Sequence, residues 1–268
     1  MSNHLLSSAL ISALLLSGCG GDDGADGTPE PITGIVQGAS GTLATGTVST
    51  WAELDAGVVT RVGASIGAAT VDSASERESV SIAFPAEAIK QTFFNHFGAN
   101  FEAEGHPPPP YLVAHFDLHF YGIDETTRLA IDCADEALPD GVTANVPASG
   151  NDYLPDNYLI PSPALDPDGT CVPEMGVHAI NVTSPELAPE DAPAFTATQI
   201  LGFHAGSLAF IEPMIALDHL KEKPAISWDV PQPAKLGRSV LWPAHFTAEY
   251  NEADATYDLV YSEFTASE

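Results

Sequence analysis

Along most of the chain, apolar and polar positions alternate with a period of two, the signature of half-buried strands. GTVSTWAEL and VVTRVGASI flank Asp55-Ala56-Gly57 and predict a hairpin, and SVSIAF predicts a further short strand. PAEAIKQTFFNHF breaks the alternation, and Pro85 at its head suits a first helical position, so residues 85–97 predict a short helix. YLVAHFDLHFYGI (residues 111–123) predicts a long strand. FTATQILGFHA and SLAFIEP predict a second hairpin followed by a helical turn at IALDHLK. HFTAEY and ATYDLVYSEF, joined by NEAD, predict a third. The sum is a mainly β chain, an antiparallel barrel or sandwich with two or three short helices.

Composition narrows the class. The 268 residues include 37 Asp+Glu against 8 Lys+Arg, a formal charge of -29, so a phosphate backbone or an anionic membrane surface would repel the protein and nucleic acid is excluded as a partner. The 44% hydrophobic content is that of a globular protein, and no repeat interrupts the body. The acidity fits a surface kept apart by self-repulsion and names no reaction.

The N-terminus carries an address. An apolar and small-residue run from Leu5 to Leu16 is too short for a membrane span, and it reads as an export signal. It ends in Leu16-Ser17-Gly18-Cys19, which resembles the lipobox of bacterial lipoproteins. That resemblance implies cleavage before Cys19, lipid on Cys19 as the membrane anchor, and a place in the cell envelope. Gly20, where an inner-membrane sorting signal would have Asp, favours the outer membrane, with the body facing the periplasm. Residues 1–18 are thus a signal peptide and 19–40 the lipidated Cys and a Gly/Asp/Pro-rich tether. Residues 41–268 are then one β domain.

Cys133 and Cys171 remain as an even pair in an oxidising compartment and predict a disulfide. It would pin the ends of an irregular stretch, about residues 132–172, that is crowded with Pro, Asp, Asn and Gly. On the chain-entropy model such a link stabilises by roughly 4 kcal/mol. DPDGT within that stretch (Asp166, Asp168, Gly169) reads as a turn, since it lacks the remaining ligands of a calcium loop.

The chemistry concentrates in one strand. Alternation puts Ala114, Phe116, Leu118 and Phe120 on one face of residues 111–123, and Val113, His115, Asp117, His119 and Tyr121 on the other. Histidines and an aspartate on one strand face are costly to bury without a partner such as a metal. CVPEMGVHAIN adds His178, and GSLAFIEPM adds Glu212. His115, His119, His178 and Glu212 therefore predict a divalent metal site, with Zn, Mn or Fe suited to three imidazoles and a carboxylate. Asp117 and His106 are the candidates to orient a ring or move a proton.

GHPPPPYLVAHFDLHFY, VPEMGVHAIN with its following SPE, and GSLAFIEPMIALDHL together resemble the signature segments of an uncharacterised family of secreted bacterial domains with a described relative from Thermus. The pattern Gly-His-x-Pro, His-Phe-Asp-x-His-Phe-Tyr, Met-Gly-x-His, Phe-x-Glu-Pro-Met spans most of residues 80–264. The resemblance marks His106, His115, Asp117, His119, Met175, Gly176, His178, Glu212, Pro213 and Met214, and implies no known activity. The chain departs from the pattern at Ala114 and at Phe203-His204-Ala205-Gly206. His-x-x-x-His followed by Pro173, Gly176, His178 and Asn181 also resembles the metal motifs of cupin barrels, in architecture only.

Other histidines read as ordinary. His96 is a cap or packing residue, His219 is solvated, and His245 has no evident partner. Met175 and Met214 read as core filling. No Gly-x-Ser-x-Gly elbow, catalytic Cys-His pair or phosphate loop occurs. Three functions fit: an exported metal-binding domain, an envelope protein whose polar cluster is structural or forms a homo-oligomer contact, and a barrel for a small-molecule ligand.

Overall fold

The computed structural model describes residues 30–134, 136–161 and 171–267, so the lipobox Cys19, the signal segment and the DPDGT turn lie outside the described residues. The body, Ile32–Glu268, is one unit. Its alternating segments become antiparallel strands in two sheets.

The first sheet comprises Gly34–Leu43 (β1), Gly46–Asp55 (β2), Val58–Gly67 (β3), Ile226–Asp229 (β12), Leu241–Asn251 (β13) and Thr256–Ala266 (β14). Their order is β1-β2-β3-β14-β13-β12. The second holds Glu78–Ala83 (β4), His96–Glu102 (β5), His115–Tyr121 (β6), Tyr158–Leu159 (β7), Cys171–Val172 (β8), Gly176–Asn181 (β9), Ala197–His204 (β10) and Ser207–Ala216 (β11). Their order is β4-β5-β6-β11-β10-β9-β7, with β8 also on β9. The sheets stay separate, so the molecule is sandwich-like and does not close into a barrel.

Among the described residues four short helices accompany them, Ala68–Ser73 (α1), Ala86–Gln91 (α2), Glu125–Leu129 (α3) and Leu217–Lys221 (α4). That is one more than expected, because α1 and α3 are single turns with no apolar period to announce them. In α3 the Asp124 carboxylate accepts the Thr127 N–H at 3.0 Å, a local cap that suffices for one turn. Among the described residues no helix is long and apolar enough to cross a membrane.

Two expectations are corrected. The helix read over 85–97 ends at Gln91, and its tail turns into β5 from His96. Phe93 and Phe94 are pulled into the core, where Phe94 lies 4.9 Å from Tyr261 across the sandwich. Burying two phenyl rings, at about 2–3 kcal/mol each, outweighs the helix propensity of two turns. The first strand, β1, starts at Gly34, inside the stretch read as tether to residue 40, because its edge position needs no continuous apolar pattern. Cys133 and Cys171 are disulfide-bonded, with Cα atoms 5.8 Å apart.

β6 is buried along its whole length, and that places the site. Phe116, Leu118 and Phe120 face the inter-sheet core with Phe97, Phe101, Ile211 and Ile215. The opposite face would lie on the outside of the sandwich, yet it too is covered. Two smaller apolar clusters lie there, one around Tyr111, Phe195, Ile200 and Met214, the other around Tyr121, Ala209 and Phe210. His115, Asp117 and His119 run between them.

Candidate metal centre

Strand register brings the distant residues to β6. Pairing of Ile211 with Phe120 and of Met214 with Asp117 sets Glu212 opposite His119. On the other side of β11, Ile200 faces Glu212 and Gly202 faces Phe210; Gly202 in turn faces His178 of β9. A Cβ on Gly202 would overlap the Phe210 ring, so a glycine there lets that ring lie beside His178, 5.1 Å between centroids. On β5, Glu102 faces His115.

Two groups of ligand atoms result, each within a 4.8 Å span: His119, His178 and Glu212 (the inner group), and His106, His115 and Asp117 (the outer group). The sequence pattern predicts His115 with His119, His178 and Glu212; the structure groups it with His106 and Asp117. The reason is strand rise. Four residues at about 3.3 Å separate His115 from His119 by roughly 13 Å along β6, far beyond the span of one ion's ligands. His106 and Asp117, read as accessories, are members of the outer group.

In the inner group His119 Nε2 lies 3.5 Å from Glu212 Oε1, and His178 Nε2 lies 3.7 Å from Glu212 Oε2. The His119 ring is stacked on Tyr121 at 5.2 Å and edged by Phe210 at 4.8 Å, which locks its orientation. The ring N–H at His178 Nδ1 donates to the Gly176 carbonyl at 3.1 Å, which leaves the Nε2 lone pair facing Glu212. Gly176 has φ +119, which only glycine adopts without strain, and so the turn into β9 aims the imidazole. Burial drives His119 down to about 3 and His178 down to about 4, so both rings are neutral. Burial, and then the charges of Asp117 and Glu102, push Glu212 well above the usual carboxylate range.

The outer group is built on the same plan with different electrostatics. The ring N–H groups at His115 Nδ1 and His106 Nδ1 donate to the carbonyls of Val113 (2.7 Å) and Pro107 (2.8 Å). Both Nε2 atoms then face Asp117, from 2.9 Å for His115 and 3.4 Å for His106. Burial opposes ionisation of Asp117, but the two rings outweigh it and hold its carboxyl well below the usual range. Burial likewise lowers His106, but contact with Asp117 outweighs it and raises the ring to about 9.

Both groups open on one cavity of about 410 Å3, lined at its polar end by His106, Asp117, His178, Glu212, Glu102 and Arg77. Pro107, Pro108, Val172, Met175, Ile180 and Ile200 supply apolar walls. Glu102 is a site residue that the sequence reading missed. It is buried, raised by burial and by Asp117, and ion-paired to the exposed Arg77 at 2.9 Å. The alternation of β5 would have put it on the site face had 96–102 been read as a strand. Tyr111, whose O–H donates to Glu186 Oε1 at 3.2 Å, forms another wall.

The remaining histidines stand apart. His96 is buried and stacked on Tyr121 at 4.6 Å, and burial lowers it to about 4. His204 meets Glu136 at 2.7 Å, His219 lies 3.4 Å from Glu222, and His245 lies 3.0 Å from the Ser227 hydroxyl. Met214 is fully buried in the cluster beside Phe195, and Met175 packs against the Phe210 cluster.

No family model, curated protein or solved structure matches the chain. Among the described residues, five buried side-chain atoms of the two groups have no hydrogen-bond partner: His115 Nε2, Asp117 Oδ1, His119 Nδ1, His119 Nε2 and Glu212 Oε2. Leaving a buried polar atom unpaired costs roughly 1–3 kcal/mol. Four of these belong to the facing atoms of the two groups, while His119 Nδ1 lies on the other side of its ring from Nε2; such a set is compatible with a bound metal ion or with a strained polar network.

Proposed function

We propose that this chain is an exported, lipid-anchored envelope protein whose β sandwich binds a divalent metal ion through His119, His178 and Glu212. The convergence of unpaired, buried ligand atoms in the inner group carries the metal reading. The edge of a tetrahedron of ligands bonded at about 2.1 Å is about 3.4 Å, close to the 3.5 and 3.7 Å separations found. Neutral imidazoles and a desolvated carboxylate suit Zn2+, Mn2+ or Fe2+. A carbonyl partner on the far nitrogen of His178 is the usual support of a metal-binding imidazole. When bound, the metal would polarise an oxygen or activate water. The chain's own residues orient the ligand rings, exclude bulk water from them with Tyr121 and Phe210, and set His106 beside Asp117 at the cavity.

The anchor and the envelope location rest on the lipobox-like residues 16–19, and membership of the uncharacterised secreted family rests on its four motifs. A metal-free polar network is the competing reading, and the unpaired atoms speak against it. The cavity volume falls in the range of small-ligand sites, which supports access of an organic molecule to the same place.

Elemental analysis of tag-free protein tests the proposal. Near-stoichiometric Zn, Mn or Fe is expected, with inner-group metal lost in His178→Ala and in Glu212→Gln. Protein that is isolated metal-free, and whose melting temperature ignores added Zn2+, Mn2+ and Fe2+, overturns it.

A further inference from the structure

The outer group has features that protons alone leave unexplained. Both of its imidazoles spend their Nδ1–H on a backbone carbonyl, so each presents only Nε2 to Asp117. His115 Nε2 and Asp117 Oδ1 lie 2.9 Å apart, both buried, yet without the angular geometry of a hydrogen bond. The two rings meet edge to face at 4.8 Å and bracket a single carboxylate. Glu102, buried and opposite His115 on β5, lies on the same cavity with its Oε1 held by Arg77 at 2.9 Å. We propose that His106, His115 and Asp117, with Glu102 beside them, form a second divalent-cation site on the cavity they share with the inner group.

The separations of 2.9 and 3.4 Å match ligand edges of about 3.0 Å in an octahedron and about 3.4 Å in a tetrahedron at 2.1 Å bond length. Two imidazoles with one or two carboxylates select borderline first-row ions such as Zn2+, Fe2+ and Mn2+ over Ca2+ and Mg2+. Three carboxylates, Glu102, Asp117 and Glu212, line the cavity against one guanidinium and the two rings of His106 and His178. One divalent ion at the inner group leaves the outer carboxylates without that compensation. His106, whose side chain is 36% exposed, lies on the way in, while His115 is closed at 0%. Binding displaces whatever protons the Nε2 atoms carry, one released to solvent per imidazolium that becomes a ligand.

This inference extends the metal reading of the inner group, and metal stoichiometry separates the two. The full chain is stripped with chelator, loaded with ZnCl2 or MnCl2, and washed in 0.5 M NaCl to release ions held only by the acidic surface. Two ions per chain are expected. The variant His106→Ala/His115→Ala should retain one, and His178→Ala/Glu212→Gln should retain the other. One ion in the parent chain, kept by His106→Ala/His115→Ala, overturns the second site and leaves the first standing. No ion overturns both. Should a variant fail to fold by circular dichroism, titration of the parent chain with Co2+ decides. Two successive spectral changes support the second site, and saturation at one equivalent rejects it.

Discussion

The inner and outer groups are rooted two residues apart on one strand face, each with two imidazoles and a carboxylate, and burial treats them oppositely. In the inner group nothing outweighs the cost of desolvation, so His119, His178 and Glu212 are all driven toward their neutral forms. In the outer group Asp117 and His106 stabilise each other's charges, so the carboxyl is held down and the ring is held up. The difference follows from partners rather than from depth, since Asp117 is nearly as closed as Glu212. Asp117 has a histidine on each side at 2.9 and 3.4 Å, whereas Glu212 meets its histidines only at 3.5 and 3.7 Å. Opposite charge states can thus be given to the same residue types by a shift of less than 1 Å in their separations.

The largest test removes the link that ties the start of β8 to Cys133, in the segment after α3. Cys133→Ser/Cys171→Ser should cost up to about 4 kcal/mol in a urea melt, because the 38-residue separation regains its freedom in the unfolded chain. Val172, Met175 and His178 follow Cys171 directly, so metal retention should fall at the inner group and hold at the outer one. Equal loss at both would erase the distinction.

Next in size is a pair of substitutions compared in chelator. Asp117→Asn strips His106 of its countercharge and leaves His115 without its facing carboxylate, and should cost about 3–4 kcal/mol. Glu212→Gln removes a carboxyl that burial already disfavours and should leave the metal-free protein as stable as before or more so. The reverse ranking would show that the inner carboxylate is the compensated one.

The pH dependence of metal-free stability should be limited by a different group on each side. His178 is lowered from 6.5 to about 4, so the unfolded chain binds the proton more tightly. Stability present above pH 6.5 is lost as pH falls toward 4, by about 3 kcal/mol for that ring. His119 and His96 add to the loss in the same direction. His106 is raised to about 9, so its contribution is full below pH 6.5 and disappears as pH rises through 9. Melting temperatures from pH 4 to 10 should peak between these limits, and a peak displaced beyond either one contradicts the assignment.

The smallest effect belongs to the cavity mouth. Arg77→Ala should cost about 1 kcal/mol, since the guanidinium is mostly exposed even though its partner Glu102 is buried. Outer-group metal affinity should rise slightly as the competing cation leaves, which calorimetric titration with Zn2+ can detect.

Much of the fold could be read in advance because a strand announces itself by alternation. The hairpins β2–β3, β10–β11 and β13–β14 were legible, as was the sharing of one face by His115, Asp117 and His119. Segments that were missed carry no such period: β1 is an edge with glycines and serines, β12 is four residues long, and β5 follows a proline-led stretch that reads as helix. Glu102 lies just past that stretch, in residues for which the pattern predicts no element.

Sequence alone determined the β character, the acidic shell, the pairing of the two body cysteines, and which residue types could hold a metal. These follow from local spacing and from chemistry carried by each side chain. Tertiary structure decided how those residues divide. Register between β6 and β11 set Glu212 against His119, and the turn at Gly176 aimed His178 at both. Strand rise kept His115 away from them, and the loop before β6 delivered His106 to Asp117 instead. Distances between strands depend on hydrogen-bond pairing across more than ninety residues of chain, for which spacing along one strand holds no information.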